Sequence, residues 1–210
     1  MLAVVGPDGV GKTTFINLLR QELALILVKA PESIKVTHFR PRLLPNIKQL
    51  LLNRITEEAE FSQPHRATQA GMLSSLLRLI YYWIDYVIGY WLLVRWQSPL
   101  EFVYVFDRYF YDFLVDPQRS RISLPMWVRR AFLAITPEPG LVFFLDCPAE
   151  VVFSRKQELE LAEIERQMRA YRQLADENWE RFVVLNARTP PEESCAVAVR
   201  TVVQRLFKAA

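Results

Sequence analysis

Short apolar runs alternate along the chain with longer stretches whose apolar residues follow helical spacing. The runs predict five strands: LAVV (2–5), SIKVTHF (33–39), EFVYVF (101–106), LVFFL (141–145) and RFVVL (181–185). Strands that alternate with helices in this way form a parallel sheet covered on both faces. The pattern therefore predicts an α/β fold in three layers, with a five-stranded parallel sheet between helices, in a single domain over residues 1–210.

One longer stretch, GMLSSLLRLIYYWIDYVIGYWLLVRWQ (71–97), is apolar enough to raise the question of a membrane span. Arg78, Asp85 and Arg95 divide it, so no uninterrupted apolar run approaches the ~20 residues that a span requires. We therefore predict a helix buried in protein, and leave open a homodimer contact and a peripheral attachment to a membrane. The polar stretch 53–69 is predicted to be an irregular connection.

Composition and charge narrow the class of protein. The 210 residues are 51% hydrophobic and 23% charged, as in a globular domain. A net charge of +3 is too small to indicate nucleic acid as a partner. The two cysteines, Cys147 and Cys195, have neither metal-site nor disulfide-framework spacing. Because the first motif begins almost at the first residue, we expect no signal peptide and predict a cytoplasmic protein.

That first motif is GPDGVGKTT (6–14), which fits the phosphate-loop pattern G-x-x-x-x-G-K-[ST] between a strand and a helix. Its glycines let backbone N–H groups turn toward phosphate oxygens at the helix N-terminus. Lys12 is expected to reach the β and γ phosphates, and the Thr13 hydroxyl to bind Mg²⁺. The motif predicts ATP and Mg²⁺ as ligands, with nucleotide-binding residues Gly6, Asp8, Gly9, Val10, Gly11, Lys12, Thr13 and Thr14.

A second motif follows the predicted third strand, in EFVYVFDRYFYDFLVD. Asp107 at the strand end is typical of a Walker B carboxylate, which binds Mg²⁺ through water. Arg108 follows it directly and is expected to point into the same cleft. Asp112 and Asp116 also follow this strand. Each either caps a helix or binds an Arg, or else has a functional role, and the sequence favours neither explanation.

Several segments together resemble the thymidylate kinases, a family of P-loop nucleoside monophosphate kinases. They are GPDGVGKTT, the triplet Asp107-Arg108-Tyr109, FLDCPAEVVFSRK and LNARTPPEE, which follow in the family's order over the whole length. In detail the chain is more similar to the thymidylate-kinase-like proteins found with bacterial surface-polysaccharide genes, through RPRLLP, YYWIDY, DRYFYDFLVDP and RKQEL. The resemblance implies a P-loop NTPase fold with a helical lid.

The resemblance also implies roles in binding the acceptor. Asp8 is expected to contact the acceptor's sugar hydroxyl, and Arg40 and Arg108 to bind its phosphate. Asp85 stands on the central helix where the family has an Arg, and an acid there accepts from sugar hydroxyls or an amino group. The ATP base is expected to lie between Arg155 and the loop with Asn186, Ala187, Arg188 and Thr189.

The lid is assigned to residues 155–172, a basic segment with helical spacing. Members of the family carry an Arg either in the phosphate loop or in the lid. The loop here reads Pro-Asp-Gly-Val, so the charge of the transition state must be met by a lid Arg. Arg155 and Arg166 are the first choices.

These residues predict ATP-dependent phosphoryl transfer to a small phosphorylated acceptor, with dTMP and ATP giving dTDP and ADP in nucleotide biosynthesis. Arg40, Arg42 and Arg108 favour an acceptor that already bears phosphate. One alternative is a kinase for a sugar or other hydroxyl acceptor in surface-polysaccharide synthesis, whose carboxylate base is Asp107, Asp112 or Asp85. The other is an ATP-binding assembly protein without catalysis, against which an intact Lys12, Thr13 and Asp107 argue.

Overall fold

The computed structural model describes residues 1–27, 31–40, 71–96 and 102–209. The strands are β1 Leu2–Val5, β2 Ile34–His38, β3 Val103–Asp107, β4 Leu141–Asp146 and β5 Phe182–Asn186. The helices are α1 Lys12–Ile26, α2 Met72–Gly89, α3 Asp112–Val115, α4 Met126–Ala134, α5 Ala149–Arg155, α6 Leu161–Glu177 and α7 Pro191–Ala209. All five predicted strands form, whereas the predicted connection 53–69 and Arg42 lie outside the described residues.

The five strands form one sheet in the order β2-β3-β1-β4-β5, and every pairing is parallel. The central strand β1 is buried along its whole length, which its unbroken apolar run LAVV allows. The register places His38 beside Asp107 and Asp146 beside Asn186, at the carboxyl ends of neighbouring strands. The predicted α/β fold with a five-stranded parallel sheet is confirmed.

Helices cover both faces of this sheet. Phe143 and Phe144 are consecutive in β4, so their side chains point to opposite faces. The ring of Phe143 meets Phe15 of α1 at 6.0 Å, and the ring of Phe144 stacks on Tyr171 of α6 at 5.4 Å. Helix α7 packs beside α1. The sheet is therefore the middle of three layers.

The chain groups into two compact units. The first comprises the described residues of Met1–Phe39, Gln97–Tyr109 and Pro139–Ala210, and contains the whole sheet. The second comprises those of Arg40–Trp96 and Phe110–Glu138. The assignment of residues 1–210 to one domain stays a prediction.

The second unit is built around α2, which continues as a π-helical segment, Tyr90–Trp96. The predicted central helix thus forms, but only one face of it is buried, through Leu79, Tyr86 and Gly89. Leu73 and Leu77, one turn apart, are exposed. Among the residues that the structure describes, no helix combines the length and apolarity needed to cross a membrane.

Aromatic rings and the buried cation of Arg129 pack together in the second unit. Tyr82 stacks on Phe113 with ring centroids 5.4 Å apart, and Phe110 meets Phe113 at 4.7 Å. Buried Arg129 donates from Nη1 to the carbonyl oxygens of Phe113 and Leu114, at 2.8 and 3.0 Å. These carbonyls belong to the short helix α3, so Arg129 satisfies acceptors that a helix end leaves without an internal partner. The second unit therefore has a core of its own.

Candidate active site

The loop between β1 and α1 depends on glycine at three positions. Gly6, Gly9 and Gly11 have φ angles of 144°, 87° and 106°, which other residues rarely adopt. Gly11 is the residue before α1, and no side chain of the described residues caps that end of the helix. The N–H groups of the first turn therefore stand at the mouth of the loop without a side-chain acceptor, as an anion site requires.

The loop packs tightly on the end of α5. A Cβ atom added to Gly9 would lie 2.8 Å from the Cβ of Lys156 and 3.4 Å from the carbonyl oxygen of Val152. A separation under 3.0 Å is closer than real Cβ atoms come. Only glycine lets the phosphate loop approach the start of the predicted lid this closely.

Lys12 is buried inside the loop, with 6% of its surface exposed. Its Nζ donates to the carbonyl oxygens of Gly6 and Pro7, at 2.8 and 2.7 Å. The ammonium group is therefore held at the centre of the glycine turn. Thr13 and Thr14 follow in the first turn of α1 and are exposed.

Asp107 ends β3, and His38 ends the neighbouring strand β2 directly opposite it. Their side chains meet, with His38 Nδ1 2.9 Å from Asp107 Oδ2. The other carboxylate oxygen, Oδ1, is buried and has no hydrogen-bond partner among the described residues. Burial by itself raises the pKa of Asp107, but the hydrogen bond to His38 and the charges of Lys12 and Arg108 outweigh it and hold the pKa below its ordinary value.

Arg108 follows Asp107 in a left-handed backbone conformation, with φ 75°. This conformation is uncommon for a bulky residue, and its N–H donates to the carbonyl oxygen of Val4 at 2.8 Å, which fixes it against β1. The side chain is buried, and its Nη2 donates to Oδ1 of Asp8 in the phosphate loop. Arg108 and Asp8, both predicted to bind the acceptor, are therefore paired with each other in the first unit.

A cavity of 270 Å³ lies on the other side of the loop. Its walls include Val10, Thr14, Phe15, Arg155, Ala187 and Thr189. Arg155 donates from Nη1 to the carbonyl oxygen of Val10 and from Nη2 to that of Ala187, both at 3.2 Å. The structure thus brings together Arg155 and the loop after β5, which the sequence had paired around the ATP base.

That loop is a tight turn after β5. Asn186 Oδ1 accepts from the N–H of Arg188 at 3.0 Å, and the carbonyl oxygen of Asn186 accepts from the Thr189 hydroxyl at 2.9 Å. Asn186 therefore shapes the turn from inside, and its side-chain oxygen is engaged with the backbone.

The predicted lid, 155–172, consists of the end of α5, a connection over residues 156–160 and most of α6. Arg166 pairs with Glu163 one turn earlier in α6, with Nη2 2.6 Å from Oε1. Arg172 forms a two-pronged pair with Asp146 at the end of β4, the closest contact being 2.8 Å. Arg155 touches the phosphate loop through its hydrogen bond to Val10, and the role of Arg166 stays a prediction.

Arg40 and Asp85, the other predicted acceptor residues, belong to the second unit. Arg40 Nη1 lies 3.0 Å from Asp85 Oδ2, and both side chains are buried. The guanidinium also lies over the rings of Tyr81 and Tyr82, 5.9 and 5.4 Å from their centroids. Asp85 is therefore the counter-ion of Arg40 in this structure.

His38 is the residue of this site that sequence reasoning missed. The signal was its place at the end of a predicted strand, where ligands of parallel sheets collect. Its partner depends on the register between β2 and β3, which the sequence does not display. In the second unit, Asp116 Oδ1 accepts from the N–H of Arg119 at 3.3 Å, and a functional role for Asp116 stays untested.

The strand order, the glycine loop between β1 and α1 and the carboxylate at the end of β3 define a P-loop NTPase fold. The chain is similar in structure to thymidylate kinase from Ehrlichia chaffeensis, with a TM-score of 0.63 over 96% of this chain and 97% of that chain. The two are 15% identical in sequence, so the likeness establishes the fold. No protein-family model and no curated protein sequence matches the chain.

Proposed function

We propose that the chain is a Mg²⁺-dependent kinase of the thymidylate kinase type that transfers the γ-phosphoryl group of ATP to a small phosphorylated acceptor, with dTMP the leading candidate. The observation that carries this proposal is the grouping of Lys12, Asp107 and Arg108 around one glycine loop. Their charges act on one another, since Lys12 and Arg108 both lower the pKa of Asp107. Phosphoryl transfer needs this combination of cations, carboxylate and backbone N–H groups.

Several residues fit a nucleotide. The N–H groups of the loop and of the first turn of α1 suit the phosphates. Lys12 holds loop carbonyl oxygens at 2.7 and 2.8 Å, and an ammonium group exchanges such contacts for the more strongly charged phosphate oxygens. The cavity beside Arg155 and Ala187 suits the base.

The side-chain oxygen atoms at this site also fit Mg²⁺, which prefers oxygen ligands and retains several waters. Asp107 offers Oδ1, which is buried and has no partner among the described residues, and Thr13 offers an exposed hydroxyl in the first turn of α1. When bound, the ion would supply positive charge that offsets the negative charge developing on the transferred phosphoryl group. The residues of the chain provide the position and the negative charge that hold it.

Asp8 and Arg108 are proposed to bind the acceptor. Arg108 is fixed by its backbone hydrogen bond to Val4 and is already paired with a carboxylate. A phosphate matches the guanidinium fork as that carboxylate does, so an acceptor phosphate competes with Asp8 for Arg108. Asp8, once displaced, is available to accept from a sugar hydroxyl. An ionised phosphate acceptor needs no general base. The task of Asp8 and Arg108 is therefore to hold the acceptor in position.

The charge of the transition state is assigned to Arg155, with Arg166 as the second choice. Arg155 already reaches the phosphate loop, through its hydrogen bond to Val10. Arg166 is held by Glu163 within α6, so its participation requires that pair to open.

A hydroxyl acceptor is the second candidate, and the pairing of Arg40 with Asp85 favours it. The sequence argument for a phosphorylated acceptor used three arginines, Arg40, Arg42 and Arg108. Asp85 neutralises the charge of Arg40. An acceptor without phosphate needs fewer cations and a carboxylate that takes its proton.

A screen of acceptors separates the candidates. ADP formation from ATP is measured with each nucleoside monophosphate, each nucleoside, several sugar phosphates and unphosphorylated sugars. We expect turnover with a phosphorylated acceptor, and dTMP above the other nucleotides. Turnover with an unphosphorylated sugar alone would establish the second candidate. No turnover with any acceptor, together with intact ATP binding, would favour the non-catalytic assembly protein.

A further inference from the structure

We propose that His38 is the positioning residue of the metal-binding carboxylate: its Nδ1–H donates to Oδ2 of Asp107 and leaves Oδ1 as the oxygen that would serve the metal site. This inference rests on the proposed Mg·ATP site and adds to it a residue from a second strand.

The direction of the hydrogen bond follows from the chemistry of the two groups. An ionised carboxylate accepts and cannot donate, so the nitrogen 2.9 Å from Oδ2 must carry the proton. An aspartate side chain is ordinarily ionised at neutral pH. His38 is therefore a donor to Asp107 whether its ring is neutral or charged.

The pair is built into the sheet. His38 and Asp107 are register partners in neighbouring parallel strands, and the N–H of Phe39 donates to the carbonyl oxygen of Asp107 at 2.7 Å. Phe39 adopts a left-handed conformation, with φ 63°, directly after β2. Two hydrogen bonds from consecutive residues thus fix both the backbone and the side chain of Asp107.

This arrangement makes the two carboxylate oxygens of Asp107 different from each other. Oδ2 has a partner, whereas Oδ1 is buried and has none among the described residues, which is costly for a carboxylate that binds nothing. Residues that orient a metal-binding carboxylate by hydrogen bonding act in this way, and their loss typically costs 10- to 100-fold in metal affinity. His38 is half-exposed, so its burial contributes little to the core, and the hydrogen bond accounts for its place at the strand end.

The test measures Mg²⁺ binding without turnover. A fluorescent ATP analogue is bound to the protein without any acceptor, and Mg²⁺ is titrated to obtain its apparent dissociation constant. We expect His38→Ala to raise this constant roughly tenfold, and His38→Asn, whose amide nitrogen keeps a donor near the position of Nδ1, to stay within about threefold of the wild type. Lys35→Ala, three residues earlier in β2, is the matched control and is expected to have no effect.

Two further measurements decide the outcome. Binding of the analogue in EDTA is expected to be the same in His38→Ala and the wild type, and its loss there would show a structural role and overturn the proposal. If Asp107→Asn weakens Mg²⁺ binding but His38→Ala does not, the positioning role is wrong and the proposed Mg·ATP site stands. If Mg²⁺ does not affect nucleotide binding in the wild type, both are wrong.

Discussion

Arg108 donates a hydrogen bond to Asp8, and this contact joins the residue after β3 to the third residue of the phosphate loop. Arg108 is 2% exposed, so the two charges meet largely away from water. Replacing the carboxylate by another anion keeps such a pair satisfied, whereas removing the anion leaves a buried cation. The contact therefore suits a site in which an incoming phosphate takes the place of Asp8.

The first prediction concerns this pair. Arg108→Ala removes a charge-assisted hydrogen bond worth about 1.5–3 kcal/mol, so the KM for the acceptor is expected to rise roughly tenfold to a hundredfold. The dissociation constant for ATP is expected to stay near that of the wild type. Steady-state kinetics with the acceptor varied at saturating ATP measures the first quantity, and titration with an ATP analogue the second.

Two controls accompany this variant. Arg108→Lys keeps the charge without the guanidinium fork and is expected to lie between the wild type and Arg108→Ala. Arg200→Ala removes an exposed arginine of α7 and is expected to change neither constant. A loss of ATP affinity in Arg108→Ala, with the acceptor KM unchanged, would refute the assignment.

The close contact between the phosphate loop and α5 gives the second prediction. Gly9→Ala forces a Cβ to 2.8 Å from that of Lys156 at a φ of 87°. Left-handed strain and overpacking together are expected to lower the free energy of unfolding by about 2 kcal/mol or more. Urea unfolding measures the change. Gly140→Ala is the matched control, because its Cβ would lie 3.6 Å from the nearest atom, an ordinary contact. Equal stability of the two variants would mean that the contact is absent in solution.

The third prediction concerns the proposed lid, residues 155–172. The connection 156–160 lies between α5 and α6 and borders the phosphate loop at Gly9. Hydrogen exchange of its amides is expected to slow when ATP and the acceptor are added together, and less with ATP alone. Mass spectrometry of peptides covering this segment measures the effect. The same exchange with and without ligands would exclude a lid here.

The fourth prediction concerns the two cysteines, both buried. Burial raises the pKa of Cys147, and burial together with the charges of Glu22 and Glu192 raises the pKa of Cys195 to about 11. Because the thiolate is the reactive form, neither thiol is expected to react with a disulfide reagent at about pH 8 until the protein unfolds. Rapid labelling of either thiol in the native protein would contradict this.

The same shift sets a pH dependence of stability. Folding raises the pKa of the Cys195 thiol from 9.0 to about 11. The buried neutral thiol therefore makes its full contribution to the free energy of unfolding below pH 9, and this contribution is lost as the pH rises toward 11. The free energy of unfolding is expected to decline over this interval less steeply in Cys195→Ala than in the wild type.

The sequence predicted the sheet well, because a fully buried parallel strand leaves an unbroken apolar run. LVFFL and RFVVL fall within a residue of β4 and β5. The glycine loop was equally visible, since its motif lies in consecutive residues. The placement of Asp107 at the end of β3 followed from the same pattern.

Pairings between distant residues were not predictable from the sequence. His38 meets Asp107 across 69 positions, and Arg40 meets Asp85 across 45. Such pairs depend on strand register and on helix packing, which residue patterns alone do not fix. The structure shows Asp85 as the counter-ion of Arg40, and its contact with the acceptor stays a prediction.

The phosphate loop is proposed to pass the γ-phosphoryl group of ATP to a phosphorylated acceptor. The most direct test of this transfer uses ATP radiolabelled at the γ-phosphate, with dTMP as acceptor and Lys12→Ala beside the wild type, and separates the products by chromatography. We predict that the label appears in dTDP with the wild type and is almost completely lost from it in Lys12→Ala, because the γ-phosphate loses its main side-chain clamp. Label released only as inorganic phosphate, or equal transfer by the two proteins, would refute phosphoryl transfer from the phosphate loop to dTMP.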